Sequence, residues 1–230
     1  MKRGASIRVL FDETHSESWT VSRQRALEID PERPGYSSYQ QAADDLAARD
    51  FAILRNLDRP LTSIDADVLV LLHPCDAKWE RTTGGSPVLA PAELAGILAF
   101  VEQGGGLLVV TEYEHDKYGD NLNELLAPFG LTIENTTIFD QQHCVAGNPA
   151  WFFAEVGTSE LTHGVEKACF YQAGSCRGGT IALQARTGAG LIALAKHGKG
   201  RVALITDSML FGDEHFQDYS HRQLWRNLLY

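Results

Sequence analysis

The sequence predicts a three-layer α/β fold in which helices cover both faces of a mostly parallel sheet. In the first half of the chain, short apolar runs alternate with amphipathic segments, the pattern typical of parallel strands joined by helices. From about Leu131 the apolar runs follow one another with no strong helix between them, which predicts antiparallel additions to that sheet in the C-terminal half. A chain of 230 residues, 44% of them hydrophobic, can form one large domain. We therefore expect residues 1–230 to form a single domain.

The parallel strands and their helices are assigned in chain order. Four apolar runs are predicted to be parallel strands: residues 6–11 (SIRVLF), 51–57 (FAILRNL), 67–74 (DVLVLLHP) and 107–110 (LLVV). A long polar loop that holds Pro31, Pro34 and Gly35 follows the first strand. Helices are predicted over residues 39–50, 90–106 and 121–130. In the second of these, Pro91 marks the beginning and a glycine run marks the end.

The second half of the chain is predicted to form sheet extensions and hairpins. The runs are residues 131–140 (LTIENTTIFD), 180–185 (TIALQA) and 190–207 (GLIALAKHGKGRVALITD). Within the last run, His197 to Gly200 predicts a hairpin turn, since glycine tolerates positive φ. Residues 221–230 (HRQLWRNLLY) predict a closing amphipathic helix that ends without a cap, so we expect the natural polypeptide to continue as part of a longer protein.

Composition and charge argue against several classes of function. The formal net charge of -10, from 30 acidic and 20 basic residues, opposes binding to the phosphate backbone of a nucleic acid. The N-terminal apolar run breaks at Asp12, too early for a signal peptide, and no run approaches the length of a membrane span. The four cysteines are scattered and form no C-x-x-C pair. We expect a cytoplasmic protein.

Four motifs carry a resemblance to a known superfamily. They are VLFDETH at the first strand, DVLVLLHP at the third, FVEQGGGLLVVTEYE at the fourth, and HGKGRVALITDSMLFGD near the end. Together they resemble the class I glutamine-amidotransferase-like superfamily over most of the chain. The match is nearest to its non-amidotransferase branches, the ThuA-like proteins and the gliding-motility and intraflagellar-transport type of domain. The resemblance implies a flavodoxin-like fold.

The catalytic motif of the amidotransferases is missing. Those enzymes carry a cysteine at the elbow after the equivalent of GLLVV, and a late histidine and glutamate complete the triad. Here Thr111, Glu112 and Tyr113 stand at the elbow, and TDSMLFGDEH replaces the late motif. A carboxylate cannot perform thioester chemistry, so we expect no glutaminase activity. Cys75 follows the third strand, where it is either a nucleophile or a small, partly buried thiol.

Polar side chains follow four of the predicted strands at the edge where α/β sheets bind ligands. They come after the first, third, fourth and last strands: Asp12, Glu13 and His15; His73 and Asp76; Glu112, Glu114 and His115; Asp207, Ser208, Asp213 and His215. Since the ends of adjacent strands lie about 5 Å apart, we expect Glu112 to lie near His15, His73 and Asp207. At least one of these groups should then have an abnormal pKa.

Two functions remain open at this edge. In the first, a catalytically degenerate domain binds a small polar ligand or a protein partner, and its predicted binding residues are Asp12, His15, His73, Tyr113, Asp207, Ser208 and His215. In the second, a hydrolase uses Glu112 or His115 as its base, with or without a metal, since histidine and carboxylate together suit zinc, manganese or iron. Neither H-x-H nor H-E-x-x-H spacing identifies a metal, and no cofactor is assigned.

The same residues also have simpler interpretations. Strand ends are exposed to water, and Asp207 and Ser208 are equally suited to cap a short helix. Trp19, Trp79 and Tyr113 fall in loops at the same edge, where they would either stack on a sugar or base or cover their own loops. The apolar residues 148–156 (NPAWFFAEV) form either a satellite core or a contact with a second chain, such as another copy of this protein.

Overall fold

The computed structural model describes residues 6–229. Residues 1–5, which begin the segment considered above as a signal peptide, and Tyr230, the predicted last residue of the closing helix, lie outside the described residues. In the described part, the strands are β1 (Arg8–Asp12), β2 (Ala52–Asn56), β3 (Val68–Leu72), β4 (Gly106–Val110), β5 (Leu131–Glu134), β6 (Cys144–Val145), β7 (Asn148–Phe153), β8 (Glu155–Val156), β9 (Cys169–Tyr171), β10 (Ser175–Gly178), β11 (Thr180–Gln184), β12 (Gly190–His197) and β13 (Gly200–Ile205). The α-helices are α1 (Arg23–Ile29), α2 (Gln40–Ala47), α3 (Pro91–Glu102), α4 (Leu122–Leu126) and α5 (His221–Leu229).

The main sheet joins a parallel half to an antiparallel half, which confirms the predicted fold class. Its strand order is β2-β1-β3-β4-β13-β12-β10-β5, with β11 attached beside β12 and β8 beside β11. The strands from β2 to β13 are parallel, whereas β12, β10 and β5 pair antiparallel with their neighbours. The predicted hairpin joins β12 to β13, and Gly198 has a φ of 57° in its turn. At that position a Cβ atom would also meet the backbone of Glu102 at 2.5 Å.

Helices pack on both faces of the sheet because the strands are apolar on both sides. In β3, Val70 and Leu72 belong to the core of one face, and Leu69 and Leu71 belong to the core of the other. Helices α2 and α5 cover the first face, and α3 and α4 cover the second. This arrangement is the predicted three-layer architecture. Among the described residues, no helix combines the length and the apolar character needed to cross a membrane.

Helix α1 and a second, smaller sheet were not predicted from the sequence. Helix α1 lies in the segment between β1 and α2, and the Ser22 hydroxyl accepts a hydrogen bond from the Arg25 N–H to cap its first turn. A second, three-stranded sheet has the order β6-β7-β9. Its central strand is the apolar segment 148–153, and Phe152 is fully buried in the core that α2 and α5 cover. The structure therefore supports the core interpretation of this segment.

The substitution Val109→Asp should abolish the cooperative unfolding transition. Val109 is fully buried in β4, between β3 and β13, and a buried carboxylate without a partner there costs several kcal/mol. Val88→Asp is the matched control, since Val88 is 46% exposed and its substitution should change the free energy of unfolding by less than about 0.5 kcal/mol. Urea denaturation followed by circular dichroism measures both. A Val109→Asp variant that melts like the wild type would contradict the strand assignment.

Candidate functional site

A cleft of about 420 Å³ lies where β4 and β13 end, beside the second sheet. Its lining includes aromatic rings, carboxyl groups and arginines: Trp19, Tyr36, Tyr113 and Tyr171; Glu80 and Glu112; Arg33 and Arg81. Another cleft, of about 460 Å³, lies near the opposite, amino ends of β3 and β4 and is lined by residues such as Asp67, Phe100 and Gly105. Three predicted site residues, Glu112, Tyr113 and Ser208, line the first cleft, which we take as the candidate site.

Glu112 lies at the floor of this cleft because of the register between two parallel strands. Val110 in β4 stands opposite Ile205 in β13, so the residues that follow each strand also meet. The Ser208 backbone N–H donates to Glu112 Oε1 at 3.1 Å, and the Ser208 hydroxyl donates to the same oxygen. Glu112 is only 5% exposed. The elbow residue is therefore fixed in place and faces the cleft instead of bulk water.

Asp207 lies beside Glu112 but is bound mainly by backbone. Its Oδ1 accepts from the Met209 N–H at 2.9 Å, and its Oδ2 accepts from the Tyr171 N–H. The first bond supports the short 3₁₀ helix Met209–Phe211. Asp207 therefore stabilises the start of a short helix, which is one of the two roles that the sequence left open. The second bond ties the second sheet to the end of β13.

Burial makes this carboxyl pair hard to ionise. Burial raises the pKa of Glu112 well above the usual range, and the neighbouring Asp207 raises it further, while His73 acts in the opposite direction. Burial also raises the pKa of Asp207, against the effect of its backbone donors. Burial and the charge of Asp207 thus act in the same direction on Glu112 and favour its protonated form. These pKa shifts have the direction expected from the sequence for a group at this edge.

His73 is the histidine whose charge reaches Glu112. It is fully buried directly after β3, has a φ of 61°, and packs edge-on against the Tyr118 ring at 4.4 Å. Its Nε2 lies 3.4 Å from Glu80 Oε1. Burial lowers the pKa of His73, but Glu80, Glu112 and Asp120 together outweigh burial and raise it.

His15 does not contact Glu112, contrary to the expectation from the sequence. Its Nδ1 lies 2.7 Å from Asp12 Oδ2, and its Nε2 lies 3.1 Å from Glu93 Oε1. Glu93 belongs to the first turn of α3, which brings a carboxylate over the end of β1 that the strand pattern alone did not indicate. His15 and Asp12 therefore tie β1 to α3. Asn56 completes this network by donating to Asp12 Oδ1 at 2.7 Å.

The other predicted histidines also have local partners. The ring of His115 lies between Thr111 Oγ1 at 2.9 Å and Asp120 Oδ1 at 3.2 Å. His215 Nδ1 lies 2.9 Å from Asp218 Oδ2, and its ring stacks on Tyr171 with centroids 3.7 Å apart. These two histidines support the loops around the cleft.

Tyr113 lines the cleft, as predicted, and Lys117 Nζ lies 3.8 Å from the centroid of its ring. Glu80 and Tyr171 are among the cleft residues that were not identified from the sequence. Glu80 lies in the loop after β3, seven residues beyond His73, and Tyr171 ends β9 of the second sheet. Neither stands directly at the end of a predicted parallel strand. A search of whole loops for acids, instead of strand ends alone, would have found Glu80.

The fold is shared with several solved structures. The chain is similar to the mmIFT52 N-terminal domain, at 14% identity and a TM-score of 0.74 over 94% of this chain and 92% of that one. It is similar to the cytoplasmic protein STM1381 of Salmonella typhimurium LT2, at 13% identity and a TM-score of 0.62 over 97% and 98% of the two chains. A ThuA-like protein of Bacteroides uniformis matches at 13% identity and a TM-score of 0.53, over 100% of this chain and 90% of that one. No family model and no curated protein matches the sequence significantly.

These comparisons define a class of structure. The chain has an α/β, flavodoxin-like fold with antiparallel additions. Within that class, it has the fold of ThuA-like proteins and of the mmIFT52 N-terminal domain, as the sequence motifs implied.

The substitution His15→Gln should lower the free energy of unfolding by about 1–3 kcal/mol at mildly acidic pH, because it removes a buried charge partner of Asp12 and Glu93. Burial lowers the pKa of His15, but the two carboxylates outweigh burial and raise it. A raised pKa contributes stability that is complete below the unfolded value of about 6.5 and is lost as the pH rises through the folded value.

The test is urea unfolding of both proteins across this range of pH. The difference between wild type and His15→Gln should shrink as the pH increases. His163→Gln, at an exposed position, is the control and should show no such trend. A difference that stays constant or grows with pH would show that His15 is not held as a cation.

Proposed function

We propose that this domain binds a small, uncharged, hydroxyl-rich ring, such as a sugar, in the cleft and that it is not a glutamine amidotransferase. The observation that carries the proposal is the position of Glu112. The elbow residue is buried, bound by Ser208, and faces a cleft. It offers hydrogen bonds to a ligand, and it offers no thiol for covalent catalysis.

The walls of the cleft support a ring-shaped ligand. Tyr36, Tyr113 and Tyr171 line it, and aromatic rings bury the apolar face of a sugar while carboxyl groups bind its hydroxyls. Both arginines already have partners. Arg81 pairs with Asp30 at 2.9 Å, and Arg33 lies over the ring of Tyr36. Since the lining also includes several acids, the cleft favours a neutral ligand over a phosphate.

The substitution Tyr113→Ala should weaken binding of a sugar about tenfold, because it removes a stacking surface of about 1–1.5 kcal/mol. A panel of neutral monosaccharides and disaccharides, with sugar phosphates as the charged contrast, would be screened by thermal shift and the best ligand titrated by calorimetry. Trp79→Ala is the matched control, since Trp79 is 52% exposed, neighbours the same Lys117, and does not line the cleft. No binding by any neutral sugar, or an equal loss in Trp79→Ala, would refute the proposal.

A hydrolase remains the second candidate, because the pKa values of Glu112 and Asp207 are raised into the range useful for proton transfer. Of the two predicted bases, Glu112 is favoured, because it lines the cleft while the ring of His115 is engaged by Thr111 and Asp120. Turnover of chromogenic aryl glycosides that is lost in Glu112→Gln and kept in Glu114→Gln would establish the hydrolase. We expect no turnover by the wild type.

No ammonia should be released from glutamine. Burial raises the pKa of the Cys75 thiol far above its usual range, and the nearby carboxylates Glu80 and Glu17 raise it further, so the thiolate is scarce at neutral pH. A coupled glutamate dehydrogenase assay measures the ammonia, with Cys75→Ala as the comparison. Release above background that disappears in Cys75→Ala would contradict this expectation.

A further inference from the structure

Three side chains after β3 form a cluster, and of these Glu80 alone also lines the cleft. His73, Cys75 and Glu80 each offer one ligand atom, and these atoms all lie within 4.8 Å of one another. We propose that this β3 cluster binds a zinc ion. The proposal goes beyond the sugar-binding function and does not depend on it.

The spacing within the cluster matches the ligand shell of a metal better than a hydrogen bond. His73 Nε2 lies 3.4 Å from Glu80 Oε1, but the contact does not have hydrogen-bond geometry. A charge-assisted bond between these groups would be about 2.7–2.9 Å long. Zinc bonds of about 2.0–2.3 Å instead place the ligand atoms of a tetrahedral site roughly 3.3–3.7 Å apart. Ligand atoms that lie within 4.8 Å of one another need to approach by at most about 1 Å to reach this spacing.

Unpartnered polar atoms concentrate around the same place. His73 is fully buried, and neither ring nitrogen has a hydrogen-bond partner, whereas buried polar groups almost always have one. In the part of the chain that the structure describes, the other buried side-chain atoms without partners, apart from His215 Nε2, belong to four residues: Glu17, Ser18, Tyr118 and Asp120. Tyr118 packs on the His73 ring, and the Ser18 N–H donates to the His73 carbonyl.

The charge around the cluster is also unbalanced. The carboxylates of Glu80 and Asp120 both act on His73, which is the single group among these three able to carry positive charge. Buried carboxylates require a compensating charge, and a divalent cation supplies two. Lys117 is a further cation that acts on Glu80, but its charge lies on the outer side, over the Tyr113 ring.

The ligand types select zinc among common divalent ions. A thiolate with an imidazole suits zinc, whereas magnesium and calcium prefer oxygen ligands alone. On binding, the Cys75 sulfur forms a bond to the metal, and the thiol proton leaves to solvent. Three protein ligands leave a fourth position open. Since Glu80 and Ser18 also line the cleft, that position is accessible from it.

Cobalt is the most direct probe, because Co²⁺ in a tetrahedral site with a thiolate gives a charge-transfer band in the near ultraviolet and strong visible bands. The protein is treated with a chelator, dialysed, and titrated with Co²⁺ and then with Zn²⁺ in the absence of any sugar. We expect one equivalent of Co²⁺ to produce both bands and one equivalent of Zn²⁺ to remove them. Metal content after equilibration with zinc gives the same stoichiometry independently.

Variants separate the cluster from adventitious metal binding. Cys75→Ser should abolish the charge-transfer band, and Glu80→Gln should weaken zinc binding at least tenfold. Glu80 is partly exposed, so Glu80→Gln remains decisive if Cys75→Ser fails to fold by circular dichroism. Cys144→Ser and Glu114→Gln are the matched controls outside the cluster and should bind as the wild type does. Tyr113→Ala, which tests the sugar site, should also bind zinc normally, so failure of one proposal is distinguishable from failure of the other.

Substoichiometric or no metal binding by the wild type would overturn the proposal. So would a charge-transfer band that persists in folded Cys75→Ser, or zinc affinity that is unchanged in Glu80→Gln. Either of the latter results would place the metal elsewhere.

Discussion

The pairing of β13 with β4 is the constraint on which the rest of the structure depends. β13 is parallel to β4 on one side and antiparallel to β12 on the other, so it is where the two halves of the main sheet meet. The register is fixed because every residue of β13 except Arg201 is buried, and a slip by one residue would move apolar side chains to the opposite face. The same register places Ser208 against Glu112. One set of backbone hydrogen bonds therefore determines both the core and the floor of the cleft.

The floor of the cleft combines buried acids with few buried cations. Glu112 and Asp207 are stabilised by neutral donors, a hydroxyl and backbone N–H groups, and not by arginine or lysine. Such donors permit a carboxyl group to remain buried and also to keep a proton, whereas an arginine would hold it ionised. A contrasting case lies in the same molecule, where Arg55 binds the two oxygens of Glu13. Glu13 is thus held by an ion pair, whereas Glu112 is held by neutral donors.

The fold was predictable from the sequence because the strands of the main sheet are buried. Buried strands appear in the sequence as short apolar runs that alternate with helical segments. Three residues that were predicted from strand ends, Glu112, Tyr113 and Ser208, line the same cleft. The expectation that His15 contacts Glu112 was wrong. The His15 ring instead lies against Glu93, a residue of the first turn of α3. Glu80 and Tyr171 were missed because loops and a second sheet bring them to the cleft, and no periodicity in the sequence reports such long-range placement. The sequence pattern of a helix or strand shows which of its sides is buried. It does not show which loops come together at the cleft.

The bond from the Tyr171 N–H to Asp207 Oδ2 couples the wall of the cleft to its floor. Tyr171 belongs to the second sheet and lines the cleft, while burial and the charge of Asp207 raise the pKa of Glu112 and favour a proton on it. A molecule that enters and hydrogen-bonds to Glu112 changes the affinity of the pair for that proton. By thermodynamic linkage, occupancy of the cleft is then accompanied by uptake or release of hydrogen ions, and the acidity of the surroundings alters how tightly the wall is held.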